Sequence, residues 1–172
     1  MVAMGKDQVR EGAHLLDVCA AYVGRDESRD MRELIYRLNT QVTIPIMIDS
    51  TEYPVIEEAL QRIAGKAIVN SINMEDGEER MEKVLPLCKK YGAAVVALTI
   101  DEAGMAKTAQ RKLEIARRIH KLATEKYGIK EQDIIFDTLT FTLGSGDGEF
   151  RKAGIETIEA LRLVKKEFPK VF

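Results

Sequence analysis

The sequence has no tryptophan, two histidines and two cysteines in 172 residues. Two histidines are too few for a histidine-built metal centre, so no metal ligands are assigned. Two cysteines, Cys19 and Cys88, do not make a disulfide framework. They point to a reducing, cytoplasmic setting and read as free core thiols. No apolar run approaches the roughly 20 residues that cross a bilayer, so no membrane partner is expected. The first ten residues are polar and helix-like, with no signal-peptide core. Neither sign of charge dominates, since 26 Lys and Arg stand against 28 Asp and Glu. A nucleic-acid partner would need a basic stripe to meet phosphates, and that class is set aside. There is no Ser/Pro-rich linker and no low-complexity segment. A single domain is therefore expected over residues 1–172.

Short apolar runs alternate with long amphipathic ones. Strand-length runs fall at residues 14–18, 44–48, 67–69, 93–100 and 133–136. Their continuous apolar character predicts strands buried on both faces of a parallel sheet. Helices are predicted over 28–39, 51–64, 75–91, 107–127 and 154–168. Ser28 and Thr51 read as N-caps, and Gly65, Gly92 and Gly128 as helix stops. The basic run 107–126, which includes Arg111, Lys112, Arg117 and Arg118, reads as a solvated outer helix needing no acidic partner. The result is an α/β fold with parallel strands. Residues 1–12 read as the tail of a helix, and residues 171–172 as the start of a sixth strand. The pattern therefore predicts a partial (β/α)8 TIM-type barrel of about five to six βα units, incomplete at both ends. Raw sheet edges invite association, so a homo-oligomer is expected. A complete five-stranded doubly wound domain is the alternative, but it would open on its own strand.

Each strand ends in a polar residue: Asp17, Asp49, Asn70, Thr99 to Asp101, and Asp137. Ligands of parallel α/β sheets bind at that end. Asp101 and Ser50 could equally serve as helix caps. For Asp49, Asn70 and Asp137 a cap is less convincing. Carboxylates only accept hydrogen bonds, whereas Asn both accepts and donates. Such a set suits a neutral heterocycle rich in N–H groups, such as a 2-amino-4-oxo-pyrimidine edge gripped bidentately by one Asp. Phosphate would want Lys, Arg or a glycine-rich nest. The Gly-Ser-Gly-Asp-Gly stretch at 144–148 carries neither a Walker lysine nor Rossmann spacing.

Five stretches then carry a family resemblance. They are Glu-Gly-Ala-His-Leu-Leu-Asp-Val at 11–18, Pro-Ile-Met-Ile-Asp-Ser-Thr at 45–51, Lys-Ala-Ile-Val-Asn-Ser-Ile-Asn at 66–73, Tyr-Gly-Ala-Ala-Val-Val at 91–96 and Asp-Ile-Ile-Phe-Asp at 133–137. Together, in order and at natural spacing, they resemble the pterin-binding domain of cobalamin-dependent methionine synthase and the methyltetrahydrofolate:corrinoid methyltransferases. The resemblance implies a (β/α)8 barrel in which Asp49, Asn70 and Asp137 hold the pterin ring of methyltetrahydrofolate. It places Asp17 in the same cleft, with Ser50, Ser71 and Thr99 as secondary lining, and makes Asp137 the catalytic candidate. Departures are Cys19 where the family commonly has Asn, and Thr138-Leu139 where many members carry Pro-Asn or Pro-Leu. The family's first strand and its seventh-strand Asn have no counterpart in the sequence.

The implied reaction moves the N5 methyl group of methyltetrahydrofolate to cob(I)alamin. The cobalamin would be carried by a separate domain or corrinoid protein, and the outcome is methionine synthesis. One alternative is a non-catalytic folate-binding or structural fragment that needs further strands or a partner chain. A dihydropteroate synthase-like activity ranks lower, because Asp-Thr-Leu-Thr-Phe at 137–141 lacks that family's glycine-rich stretch.

Overall fold

Alternation along the strands decides which face each one buries. In β1 (Leu16–Cys19), Leu16 and Val18 are buried while Asp17 and Cys19 face solvent. In β2 (Ile46–Asp49), Ile46 and Ile48 are buried while Met47 and Asp49 are half-buried. The computed structural model describes residues 1–144 and 146–172. Ser145, inside the glycine-rich stretch of the sequence reading, lies outside the described residues. β1 pairs with β2 in parallel, and β2 with β3 (Ile68–Ile72) likewise. With β4 (Ala94–Leu98) and β7 (Ile134–Asp137) they form one sheet in the order β1-β2-β3-β4-β7. Burial on both faces, expected of every strand, is approached only in β4, where Ala94, Val95 and Ala97 are buried. β1, β2 and β7 bury one face and leave the polar residues on the other with solvent access. By its contacts the chain resolves into two compact units, residues 1–71 with 86–95, and residues 72–85 with 96–172.

In the first unit, helix α1 (Val2–Arg10) confirms the helical start read from the sequence. A β-carbon at Gly5 would stand 3.2 Å from Leu16 Cδ1, so glycine is what lets α1 approach β1. Helix α2 (Glu27–Asn39) buries Met31, Leu34, Ile35 and Leu38, an i, i+3, i+4, i+7 stripe. Its cap is Asp26, whose carboxylate accepts from the Arg29 N–H at 3.0 Å. Ser28 therefore lies inside the helix and does not cap it. Helix α3 (Tyr53–Leu60) starts at Glu52, with no side-chain cap, and has Pro54 in its first turn. Thr51 is not its N-cap. The helix also stops well before Gly65. Asn39 holds the following turn, donating to the Arg62 carbonyl at 2.6 Å and accepting from the Ala64 N–H at 3.3 Å.

In the second unit, the apolar run after Ala93 is not one strand. It breaks after β4 at Thr99, and a hairpin of β5 (Ile100–Asp101) and β6 (Gly104–Met105) follows. The turn is made by the Asp101 carboxylate accepting from the Ala103 N–H at 3.1 Å, with Gly104 at φ +92°. Helix α4 (Glu79–Tyr91) begins four residues later than its sequence pattern, because Asn73 and Gly77 first form turns. Helix α5 (Ala109–Lys121) is capped by Thr108 and passes into a π-helical turn at Leu122–Lys126. Helix α6 (Ala153–Glu167) packs on α5 and exposes Ile155, Ile158 and Leu161. Residues 171–172, read as the start of a sixth strand, are not assigned to one and the sheet has five strands, but they run along β7, since Phe172 N–H donates to Ile134 O and Phe136 N–H to Phe172 O. Among the described residues no helix is long and apolar enough to cross a membrane.

Candidate functional site

Strand register sets the candidate site in the first unit. Cys19 pairs with Asp49, and Asp49 pairs with Asn70. The three side chains form one row across β1, β2 and β3, on the face opposite buried Val18, Ile48 and Val69. Neighbouring strands lie about 4.8 Å apart, so the row spans about 10 Å, close to the width of a bicyclic heterocycle. One pleat back stands a second row, Asp17, Met47 and Ile68. The face thus offers a polar leading edge with an apolar floor behind it. Neither row holds a Lys or Arg, which disfavours phosphate as the principal ligand group.

Asp17 keeps solvent access, yet the sheet behind it desolvates the carboxyl in part. That burial, and secondly the Asp49 carboxylate, push its pKa above the ordinary aspartate value, with the Val18 backbone N–H pulling the other way. Asp17 therefore keeps its proton to higher pH than a free aspartate. Asp49 and Asn70 are half-buried, and the Asn70–Ser71 peptide is cis. Ser71 is half-buried beside them. Ser50 is buried. Its hydroxyl donates to Glu27 at 2.7 Å and accepts from the Glu52 N–H at 3.1 Å, so it ties the start of α2 to the start of α3.

Cys19 is the residue that the sequence reading missed. The sequence pattern assigns both cysteines to the core; Cys88 is buried there, whereas Cys19 is exposed. The signal was available in the alternation itself, because Cys19 stands two residues after Asp17 and so shares its face. A cleft of about 570 Å³ opens beside Cys19, with Tyr22 and Arg25 on its wall.

The second unit holds Asp137 and Thr99. Asp137 is exposed at the end of β7, and one of its oxygens accepts from the Leu139 N–H at 2.7 Å. Thr99 is fully buried. Its N–H donates to the Asp137 carbonyl at 3.1 Å, with its hydroxyl 3.4 Å from the same oxygen. Asp101 is neither a helix cap nor open to solvent. It is buried, paired with Arg111, and 3.3 Å from Arg118. Arg118 also grips Glu102 and holds its pKa down to about 2. Arg117 pairs with Glu167. The basic face of α5 thus has acidic partners within the chain, contrary to its reading as a merely solvated face. Lys112, read as part of that face, is buried. It falls on the stripe of Ala109, Leu113, Ala116 and Ile119, which the helical period alone marks as inward.

Among the described residues no group of three or more His, Cys, Asp and Glu is placed to hold a metal ion. His120 stacks on Phe168 at 4.0 Å with its Nε2 3.0 Å from Glu131, and His14 precedes β1.

Comparison with known proteins adds three findings. The chain matches the family described as pterin binding enzyme over residues 1–171. Over 171 residues it is 52% identical to a protein of Mycobacterium tuberculosis named methionine synthase and 49% identical to one of Mycobacterium leprae of the same name. Each match covers 98% of this chain and 14% of the relative, so the chain spans about one seventh of the relatives' length. Among solved structures it resembles dihydropteroate synthase from Xanthomonas albilineans in complex with 7,8-dihydropteroate, with TM-score 0.65 and 22% identity. That likeness covers 96% of this chain and 61% of the other. A Yersinia pestis dihydropteroate synthase with a pterine-sulfa conjugate gives TM-score 0.64 at 15% identity, covering 96% and 62%. At these identities the likeness shows the fold alone, and it supports the parallel α/β, TIM-type class read from the sequence.

Proposed function

The chain belongs to the pterin binding enzyme family, and on that premise we propose that it binds the pterin ring of 5-methyltetrahydrofolate and supports transfer of the N5 methyl group to cobalamin in methionine synthesis. The observation that carries this reading is the row Cys19–Asp49–Asn70 across three parallel strands, at the carboxyl ends of β1 and β2 and in the middle of β3. In this reading Asp49 accepts two adjacent N–H donors of the pyrimidine edge, a bidentate grip that fixes the ring in its plane. Asn70 supplies both a donor and an acceptor beside it. Met47 and Ile68 form the apolar floor against the ring face. Asp17, with its raised pKa, lines the cleft as a group that holds its proton more firmly than an ordinary aspartate. Ser71 lies next to Asn70, while Ser50 and Thr99 support the loops from within. The family resemblance adds Asp137 as a ring ligand and as the candidate catalytic group. A tertiary amine leaves poorly unless N5 gains a proton or a strong hydrogen bond as its bond to the methyl group breaks. Fixing the ring also aims the methyl group outward, which is the positional part of catalysis.

Cobalamin supplies the methyl-accepting nucleophile. Neither histidine of this chain stands on the strand-end rows, and His120 is engaged by Phe168 and Glu131. In this reading the cobalamin is held by another part of a longer protein or by a corrinoid protein, and the setting is reducing and cytoplasmic. The second reading is a folate-binding fragment without turnover. It is favoured by the family match, which speaks to pterin binding and not to transfer. A dihydropteroate synthase-like activity has weaker support, because its relatives stand at 14–22% identity among the solved structures. The test is to supply the chain with 5-methyltetrahydrofolate and free cob(I)alamin and to follow methylcobalamin formation. Formation faster than in a protein-free control supports methyl transfer. Saturable pterin binding without transfer supports the second reading.

A further inference from the structure

A lysine buried inside a protein is unfavourable unless its ammonium has partners. Lys112 is 1% exposed on the inward stripe of α5. Its ammonium donates to the carbonyl oxygen of Thr138, and to that of Leu139 at 3.0 Å. These residues follow Asp137 directly. Leu139 sits at φ +52°, in the left-handed region that a side chain with a β-carbon rarely enters. Three contacts surround that turn. The Leu139 N–H donates to one Asp137 oxygen at 2.7 Å, Lys112 takes the Leu139 carbonyl, and the Thr157 hydroxyl lies 2.6 Å from the same carbonyl. The charged groups facing the ammonium are Asp137 from β7 and Glu156 from α6. Burial pulls the lysine's pKa below its ordinary value, and these two carboxylates oppose that.

We propose that Lys112 is a positioning residue for Asp137: by holding the carbonyls of residues 138 and 139 it fixes the left-handed turn whose N–H orients the Asp137 carboxylate. An apolar side chain of similar length would fill the same space without the desolvation of a charge. It would also take the donor from the buried Thr138 carbonyl and leave the turn to the Thr157 hydroxyl and the Asp137–Leu139 N–H contact. The role is local, since Lys112 touches the backbone directly after Asp137. It rests on the reading of Asp137 as a pterin ligand.

The test uses the 172-residue chain with Lys112→Met and Lys112→Arg, reading hydrogen exchange of the Leu139 amide and calorimetric titration with 5-methyltetrahydrofolate. Lys112→Met is expected to speed Leu139 exchange about tenfold or more and to weaken binding by a similar factor, with the Ile48 and Val69 amides unchanged. Lys112→Arg, which keeps the charge and the donors, is expected to restore part of both. Wild-type exchange and affinity in a folded Lys112→Met overturn the proposal. So does loss of the fold in both variants, which would make Lys112 a residue of the core and no more. A wild-type chain that takes up no pterin defeats the pterin reading instead, and the Leu139 amide still decides whether Lys112 holds the turn.

Discussion

Asp17 and Asp49 stand on adjacent strands of one face, one row apart, and the charge of Asp49 is part of what raises the pKa of Asp17. The sign has a consequence for stability. A carboxyl with a folded pKa above its unfolded value of 3.8 binds its proton more tightly in the native state. Its charged form therefore destabilises the fold at neutral pH, and the penalty vanishes as pH falls below that unfolded value. Asp17→Asn is expected to raise the unfolding free energy read from urea titration at about pH 7, by about 0.5 kcal/mol or less given the solvent access. At about pH 3 it should give no gain. The same variant is expected to bind pterin more weakly, a trade of function against stability. Asp17, Asp49, Asn70 and Asp137 were legible in the sequence because each follows an apolar run, although only Asp49 and Asp137 end their strands while Asp17 and Asn70 stand within β1 and β3, which run on further than the apolar run does. Cys19 was not, because cysteine is by default a buried residue and the face it occupies depends on where the strand begins. Lys112 was hidden for a related reason, since its charge outweighed its place on the apolar stripe.

The helices show how local chemistry sets boundaries that periodicity leaves open. Asp26 and Ser28 both lie near the start of α2, and either could cap it. Asp26 does so through the Arg29 N–H. Asp26→Ala is expected to cost about 1 kcal/mol in urea unfolding, whereas Ser28→Ala should change stability by about 0.5 kcal/mol or less. Equal losses would contradict the assigned cap. The β5–β6 hairpin is the element the sequence pattern obscured. Residues 93–100 read as one apolar run, and only the Asp-Glu-Ala-Gly turn at 101–104 marks the reversal. Asp101, which looked like a helix cap, closes that turn and accepts from Arg111 and Arg118 of α5. A strand end followed by an aspartate has two outcomes, a cap or a turn, and the choice is made by arginines ten and seventeen residues further on.

For the whole molecule, the order of strands and helices was legible because each apolar run is short, each amphipathic run is long, and the links between them are brief. The register was not, since the pairing of Cys19 with Asp49 and of Asp49 with Asn70 depends on contacts between distant segments. In the proposed function, that register makes Cys19, Asp49 and Asn70 the row that meets the pterin edge. Calorimetric titration of the folded chain with 5-methyltetrahydrofolate, beside Asp49→Ala and Asn70→Ala, tests it most directly. Saturable binding is expected in the wild type, with losses of about tenfold or more in each variant and circular dichroism unchanged. A folded chain that takes up no pterin, or binds it equally well after both substitutions, would contradict it.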